Sequence, residues 1–308
     1  MFAKKNYVTV DLPRGGLGHS LESYSRAFVY YASGVAEFIH PNWFKVRIGP
    51  YLRGEKDKRN YWYMIKTPKK WGLHPINNWR RFTHRVVIEN KFNPNDNGQF
   101  LIVKDEGPHS FPHIQPYKQQ FMEALVSISR YKINSKLKSP TIGIFHRSGD
   151  FLKYWQPKYG SNEYKRRTHG YGYIPPEYAA EALIKCRKIA GWDVPAVLST
   201  DAYDKEIECI LSLGNVTLSR SDSALANMLE MRHHDVLIVG TSSYGHWSFF
   251  LGDAFGIFPK VKGIGDNFKP LNLPERKGAW FVFDNNTSLN NPYEADKLHK
   301  LLSFREKT

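Results

Sequence analysis

Apolar and polar positions change rhythm along the chain in a way that outlines its elements. Residues 5–12 alternate and are rich in Val, Tyr and Thr, which predicts a strand. A glycine-rich turn, PRGGLG (13–18), follows. Leu21, Tyr24, Phe28 and Tyr31 then recur at helical spacing and predict a helix over 19–32. VAEFIH (35–40) reads as a second short strand. Residues 50–120 are rich in Trp, Arg, Asn and Pro and show little periodicity, with short strands at 84–89 and 99–104 set among long loops. A helix at 115–133 leads out of this half.

Beyond residue 140 the alternation is plainer. Strands are predicted at 141–146, 194–200, 215–219 and 235–240, with helices at 175–192 and 223–234. Residues 243–253 can open a further helix, and GIFPKV (256–261) and AWFVF (279–283) close the series. Strands alternating with helices imply an α/β fold with a parallel sheet and helices on both faces. Ligands of such sheets bind beyond the carboxyl ends of the strands.

Length and charge narrow the reading. The 308 residues, 41% of them hydrophobic, suggest about two domains and a sizeable core. The formal charge is +15, from 44 Lys and Arg against 29 Asp and Glu. Such a surface attracts nucleic acid, anionic lipid or phosphorylated small molecules. The basic runs at 53–60 and 66–71 also suit a plain solvated face, whereas Lys165, Arg166 and Arg167 lie nearer a candidate site in sequence. Cys186 and Cys209 form no Cys-x-x-Cys pair, so neither a disulfide framework nor a thiolate zinc site is expected, and a reducing, cytoplasmic setting is. No apolar run reaches the roughly 18 residues of a membrane span. The expectation is a soluble protein or one held at the inner face of a membrane.

The candidate chemistry sits at strand ends. One strand ends in His146-Arg147-Ser148-Gly149-Asp150, the next in Ser199-Thr200-Asp201. Two more end in Ser219-Arg220-Ser221-Asp222 and Gly240-Thr241-Ser242-Ser243. Parallel strands would bring these ends to one edge. A guanidinium fork, hydroxyls and helix N-termini there suit a diphosphate, and an Asp can accept from a ribose or a base. Taken singly, each end could equally be an ordinary turn or cap. The turn GGLG is not a dinucleotide fingerprint, because no acidic residue ends the next strand, and no Gly-Lys-Ser/Thr makes it a Walker loop. His109 and His113 lack a metal-ligand spacing, and His233 and His234 read as cations at a helix C-terminus. With no Asp-x-Asp to anchor a metal-bridged diphosphate, no metal and no cofactor are expected. Asn286-Thr287-Ser288 is formally a glycosylation acceptor, without weight in a chain showing no secretory signal.

Three segments in order resemble the α-1,2-fucosyltransferase superfamily, which includes α-1,6- and protein O-fucosyltransferases. GGLGHSLESYSRAF (15–28) is similar to the family's N-terminal glycine motif. IGIFHRSGDFL (142–152) is similar to its His-x-Arg-Arg-Gly-Asp motif, and MLEMRHHDVLIVGTSSYGHWSFFLGD (228–253) to its run from a Met-rich helix through a strand into a Ser-Asn-Ser-Thr-Phe-Ser-Trp-Trp segment. VLSTDAYDKE (197–206) stands where the family has Phe-Ser-Asp-Asp. The resemblance touches both halves, with residues 40–140 matching loosely. It implies a GT-B fold, two Rossmann-like domains facing across a cleft. Residues 1–130 would form the acceptor side and 131–308 the donor side, and the last helix could pack back on the first domain.

The resemblance further implies an inverting, metal-independent glycosyltransferase. Its substrates would be a nucleotide sugar, GDP-fucose above all, and a hydroxyl of an oligosaccharide or glycoconjugate. Arg147, Ser242, Ser243 and Tyr244 would hold the diphosphate, Asp201 the ribose or base, and Gly16, Gly18 and His19 would face the donor from the first domain. His19 and Asp150, with Asp105 and Glu106, are the candidate bases. The sequence departs from the pattern at several places. Phe145 takes the family's His position, with His146 one place on and therefore on the opposite strand face. Ser148 replaces the second Arg, His19-Ser20 the Asn-Gln pair, Thr241 an Asn and His246 the first Trp. These changes keep the diphosphate logic and leave sugar and base open. Two other readings are a catalytically lost carbohydrate or nucleotide binder and a basic nucleic-acid-binding protein. Against the second, no Arg/aromatic motif of an RNA-binding sheet is present, and no nucleic acid is expected.

Overall fold

The computed structural model describes residues 4–13, 15–44, 48–52, 59–68, 78–104, 111–133, 140–149, 174–219, 221, 223–258 and 292–303. In chain order the strands are β1 Tyr7–Val10, β2 Glu37–Phe38, β3 Arg85–Ile88, β4 Gln99–Val103, β5 Ile142–His146, β6 Ala196–Thr200, β7 Val216–Leu218, β8 Val236–Val239 and β9 Phe255–Ile257. The helices of eight residues or more are α1 Leu17–Ala32, α2 Lys118–Ile128, α3 Pro176–Ala190, α4 Ala224–Met231, α5 Ser243–Leu251 and α6 Pro292–Leu302. The predicted strand at 279–283 lies outside the described residues.

Contacts divide the chain into two compact units, the first drawn mainly from residues up to Lys132, the second mainly from Ile133 onward. Each is built on a parallel sheet. In the first, the order is β2-β1-β4-β3, with Tyr7 level with Glu37 and Phe100. The stripe anticipated at Leu21, Tyr24 and Phe28 is fully buried on α1 and meets Phe38 and Phe121 edge-on or tilted. Aromatic pairs in such geometry add to the area they remove from water. The helix begins at Leu17, two residues before the predicted start, so Gly18 belongs to its first turn and only Gly15 and Gly16 remain as the turn. The predicted helix at 115–133 is shorter, a 3-10 turn at Gln115–Tyr117 and then α2.

The second unit holds the order β7-β6-β5-β8-β9, every pair parallel. Chain order therefore runs outward from β5 in one direction through β6 and β7, then in the other through β8 and β9. This is a doubly wound, Rossmann-like sheet whose topological switch lies between β5 and β8. β5 and β8 are wholly buried, as the apolar runs Ile142–Phe145 and Val236–Val239 require. Gly143 is packed so closely that a Cβ there would stand 2.6 Å from a Leu237 methyl.

α3 covers one face with Ala179, Ala182, Leu183 and Cys186, and ends at Gly191 in the left-handed region. Arg187 of this helix donates to the carbonyls of Val194, Leu213, Gly214 and Asn215 and pairs with Asp193 at 2.8 Å. That guanidinium stitches the amino edge of the sheet. α6 packs on α3. Trp192 Nε1 donates to Leu302 O at 2.7 Å, and Leu298 and Leu302 join the second unit's core. Their apolar stripe finds its complement on the nearest helix of the same sheet.

His233 and His234 correct the expectation of helix-end cations. His234 is buried, with Nδ1 2.9 Å from Thr141 Oγ1, and burial and its neighbour His233 lower its pKa to about 4. His233 is also pushed down, by burial first. His234 is therefore neutral near pH 7.

Candidate functional site

The carboxyl edge of the second sheet gathers the strand ends named above. Residues alternate along β5, so Phe145 and His146 leave it on opposite faces. Phe145 meets the Tyr244 ring edge-on, with centroids 5.6 Å apart, and lies against Gly245 at the start of α5. His146 is buried on the other face. Burial lowers its pKa to about 4 despite the nearby Glu206, which favours the charged form. A neutral, enclosed imidazole is a structural part of the edge, in keeping with its displaced position in the motif.

Just past β5 the loop is clamped by two carboxylates. Asp201, beyond the end of β6, accepts from Ser148 N through Oδ1 at 2.8 Å and pairs through Oδ2 with Arg147 Nη1 at 3.0 Å. Glu206 Oε2 accepts from Ser148 Oγ at 2.9 Å and from Tyr203 N at 3.0 Å. Glu206 N donates in turn to Tyr203 O at 2.8 Å, so this carboxylate is fixed by its own turn before it reaches Ser148. Gly149 has φ +27°, and a Cβ there would stand 2.4 Å from Asp201 Oδ2. The Ser-Gly pair is therefore what allows the loop to close onto Asp201.

Replacing Gly149 with Ala is expected to push Asp201 off Arg147. Nucleotide affinity should fall at least about tenfold while the melting temperature moves by only a few degrees, since strain of this kind costs on the order of 1–3 kcal/mol. Isothermal titration alongside a thermal melt checks both.

The other ends divide between structural and presented groups. Asn227 on α4 donates from Nδ2 to Ser199 Oγ at 2.6 Å and accepts from Ser219 Oγ at 2.7 Å, tying β6 and β7 together. Across the switch, Ser242 caps α5, its Oγ accepting from Tyr244 N at 3.3 Å. Val239 is level with Phe145, so Arg147 and the capped start of α5 follow adjacent strand ends. A guanidinium after one strand end and the positive end of a nine-residue helix after the next are groups suited to anionic oxygens. Ser243 and Tyr244 are half-buried in the first turn. His246 is fully buried, with Nε2 3.1 Å from Gly240 O, and Trp247 is a core residue.

His19, Gly16 and Gly18 lie in the first unit, at the start of α1. Gly16 is the N-cap without a side-chain cap, and its carbonyl accepts from Ser20 N at 3.0 Å. A Cβ at Gly15 would meet His19 at 3.0 Å, so this turn is pressed onto the imidazole. Asp150, Asp105, Glu106, Arg220 and Asp222 lie outside the described residues, as does His109. No group of three or more His, Cys, Asp or Glu side chains among the described residues could hold a metal ion.

Sequence reasoning misses Glu206 and Asn227. The acid three residues after Tyr203 is the one local signal for Glu206, since that spacing lets a side chain return to a turn's first N–H. Asn227 carries no such signal.

No protein-family model matches the chain, and no curated relative matches it. Solved structures similar to it include a mutant of Arabidopsis thaliana FUT1 in complex with GDP, at 12% identity and TM-score 0.44, covering 84% of this chain and 71% of that one. POFUT1 in complex with GDP-fucose is 12% identical at TM-score 0.42, with coverage of 80% and 94%. Fucosyltransferase NodZ from Bradyrhizobium is 11% identical at TM-score 0.41, with coverage of 82% and 94%. With every TM-score quoted below 0.5, the functional case rests on the chain's own residues.

Proposed function

We propose that the chain is an inverting, metal-independent glycosyltransferase. It would transfer a sugar, fucose from GDP-fucose as the motifs suggest, to a hydroxyl of an oligosaccharide or glycoconjugate. The observation that carries the reading is Arg147, which follows β5 and pairs with Asp201 beyond β6, while the capped N-terminus of α5 follows the neighbouring strand β8. The motif resemblance at 15–28, 142–152 and 228–253 supplies the donor class.

In this reaction the acceptor oxygen attacks the anomeric carbon, and the bond from that carbon to the diphosphate breaks. The electron pair leaves with the nucleoside diphosphate, and the sugar passes through an oxocarbenium-like state. Arg147 and the N–H groups at the start of α5 would receive the charge that develops on the leaving group. Donors set in place beforehand are worth a few kcal/mol each. Asp201 orients Arg147 in this reading and could also accept from a ribose hydroxyl or the base. The acceptor's proton would pass to a base, with His19 and Asp150 the first candidates.

A thermal-shift panel of GDP, UDP, ADP and GDP-fucose tests the donor. Ligand at 100 times its Kd stabilises by about 2.7 kcal/mol, on the order of 4 °C for a chain of this size. GDP and GDP-fucose are expected to produce that shift. Silence toward every nucleotide, with steeply salt-dependent RNA binding, would overturn the reading.

A further inference from the structure

We propose that the 3-10 segment Asn78–Phe82 and the neighbouring edge strand β3 form a docking surface for an anionic lipid bilayer. Three large apolar side chains project here within eight residues. Phe82 is 92% exposed, Trp79 54% and Val86 48%. Exposed clusters of this kind on a folded domain mark an interaction site more often than scattered single residues do.

The segment is held firmly from below, so the projection is a feature of the fold. Tyr7, Phe100 and Val86 are level across β1, β4 and β3 and share one face of the first sheet. Arg80 lays its guanidinium 4.1 Å from the Tyr7 ring centroid, and Arg81 lies 5.5 Å from that of Phe100. His84 packs edge-on to Tyr7 at 5.1 Å, and its Nδ1 lies 2.9 Å from Thr83 Oγ1. Lys4 Nζ donates to Thr83 O at 3.2 Å.

This leaves apolar tips outermost and cations set back around their base. Arg80, Arg81 and Lys4 make the collar, with Arg85, paired to Asp96 at 2.9 Å, at its margin. A bilayer interface has the matching order. Hydrocarbon takes up Trp and Phe, while lysine and arginine remain level with anionic head groups. Juxtamembrane cations of this kind contribute in proportion to the negative surface potential. Arg80 also lies 5.8 Å from the Trp79 ring centroid, so RNA binding is one of the outcomes that the test separates from lipid binding. A second copy of the chain would bring two basic collars together, which like charge opposes. The inference does not rest on the glycosyltransferase reading.

Vesicle co-sedimentation of the whole chain tests it. The protein is expected to pellet with phosphatidylcholine vesicles carrying about 30% phosphatidylglycerol, far less with phosphatidylcholine alone, and less as salt rises. A Trp79→Ser, Phe82→Ser double variant should lose about tenfold in partitioning with an unchanged circular-dichroism melt. Equal pelleting of variant and parent would overturn the proposal, as would absence of binding to either vesicle. It would also fall if the substitutions changed the size-exclusion mass or RNA affinity and left lipid binding untouched.

Discussion

An Arg147→Ala protein is expected to bind GDP about 100- to 1000-fold more weakly and to lose sugar transfer in the same proportion. Two effects act in the same direction. The fork that would meet phosphate oxygens is gone, and Asp201 keeps its negative charge at the edge with its 3.0 Å partner removed. A carboxylate left facing an incoming diphosphate repels it. Arg147→Lys separates the two contributions. It restores a charge near Asp201 without the planar pair of donors, so it should recover part of the affinity. Titration calorimetry on both variants, with transfer assayed in parallel, measures this. Full activity in a folded Arg147→Ala protein would remove Arg147 from the site.

Acid should weaken the fold through two of its buried imidazoles. His146 and His234 have folded pKa values of about 4, against 6.5 when exposed. Between those values the unfolded chain binds the more protons, so stability rises with pH across the window. Their contribution is complete above about pH 6.5 and is lost as the pH falls toward 4. Each imidazole should account for roughly 2–3 kcal/mol between pH 7.5 and 4.5, because every tenfold difference in proton affinity between the folded and unfolded chain is worth about 1.4 kcal/mol. Glu206 opposes the lowering at His146, while His233 adds to it at His234. Urea unfolding at the two pH values measures the loss, and His234→Gln should reduce it by roughly 2–3 kcal/mol. An unchanged dependence in that variant would show that His234 charges without penalty.

The alternation of elements is legible in the sequence because each carries its own signature. β8 is an unbroken apolar run and β5 is one up to Phe145, and α3 shows Pro176 near its start and Gly191 just past its end. The capped turn into α5 is legible for the same reason, since Ser242 acts on Tyr244, two residues away. Boundaries are less so. α1 begins at Leu17 because a glycine in a helix's first turn costs little when the packed stripe behind it is long.

The strand ends look alike in sequence, and folding divides them. Ser199 and Ser219 are absorbed by Asn227, while Ser148 is absorbed by Asp201 and Glu206. These partners lie between 8 and 58 residues apart in the chain. Spacing carries no trace of such pairs, because a parallel sheet brings strand ends together only after its crossovers are made. His233 and His234 show the same limit. A helix-end position suggests a cation, but the depth at which that end is buried decides the charge.

By itself, the sequence determined the class of elements, their order, the small and charged character of each strand end, and the motifs that suggest a nucleotide sugar. Each of these is written in neighbours a few residues apart. The tertiary structure alone decided that β5 and β8 are adjacent, so that Arg147 and the start of α5 follow neighbouring strand ends, and that Asp201 holds the Arg147 guanidinium. It alone also set Phe82 and Trp79 above a collar of stacked arginines. Strand order and side-chain burial come from packing the whole sheet against its helices, and no local stretch of chain contains that information.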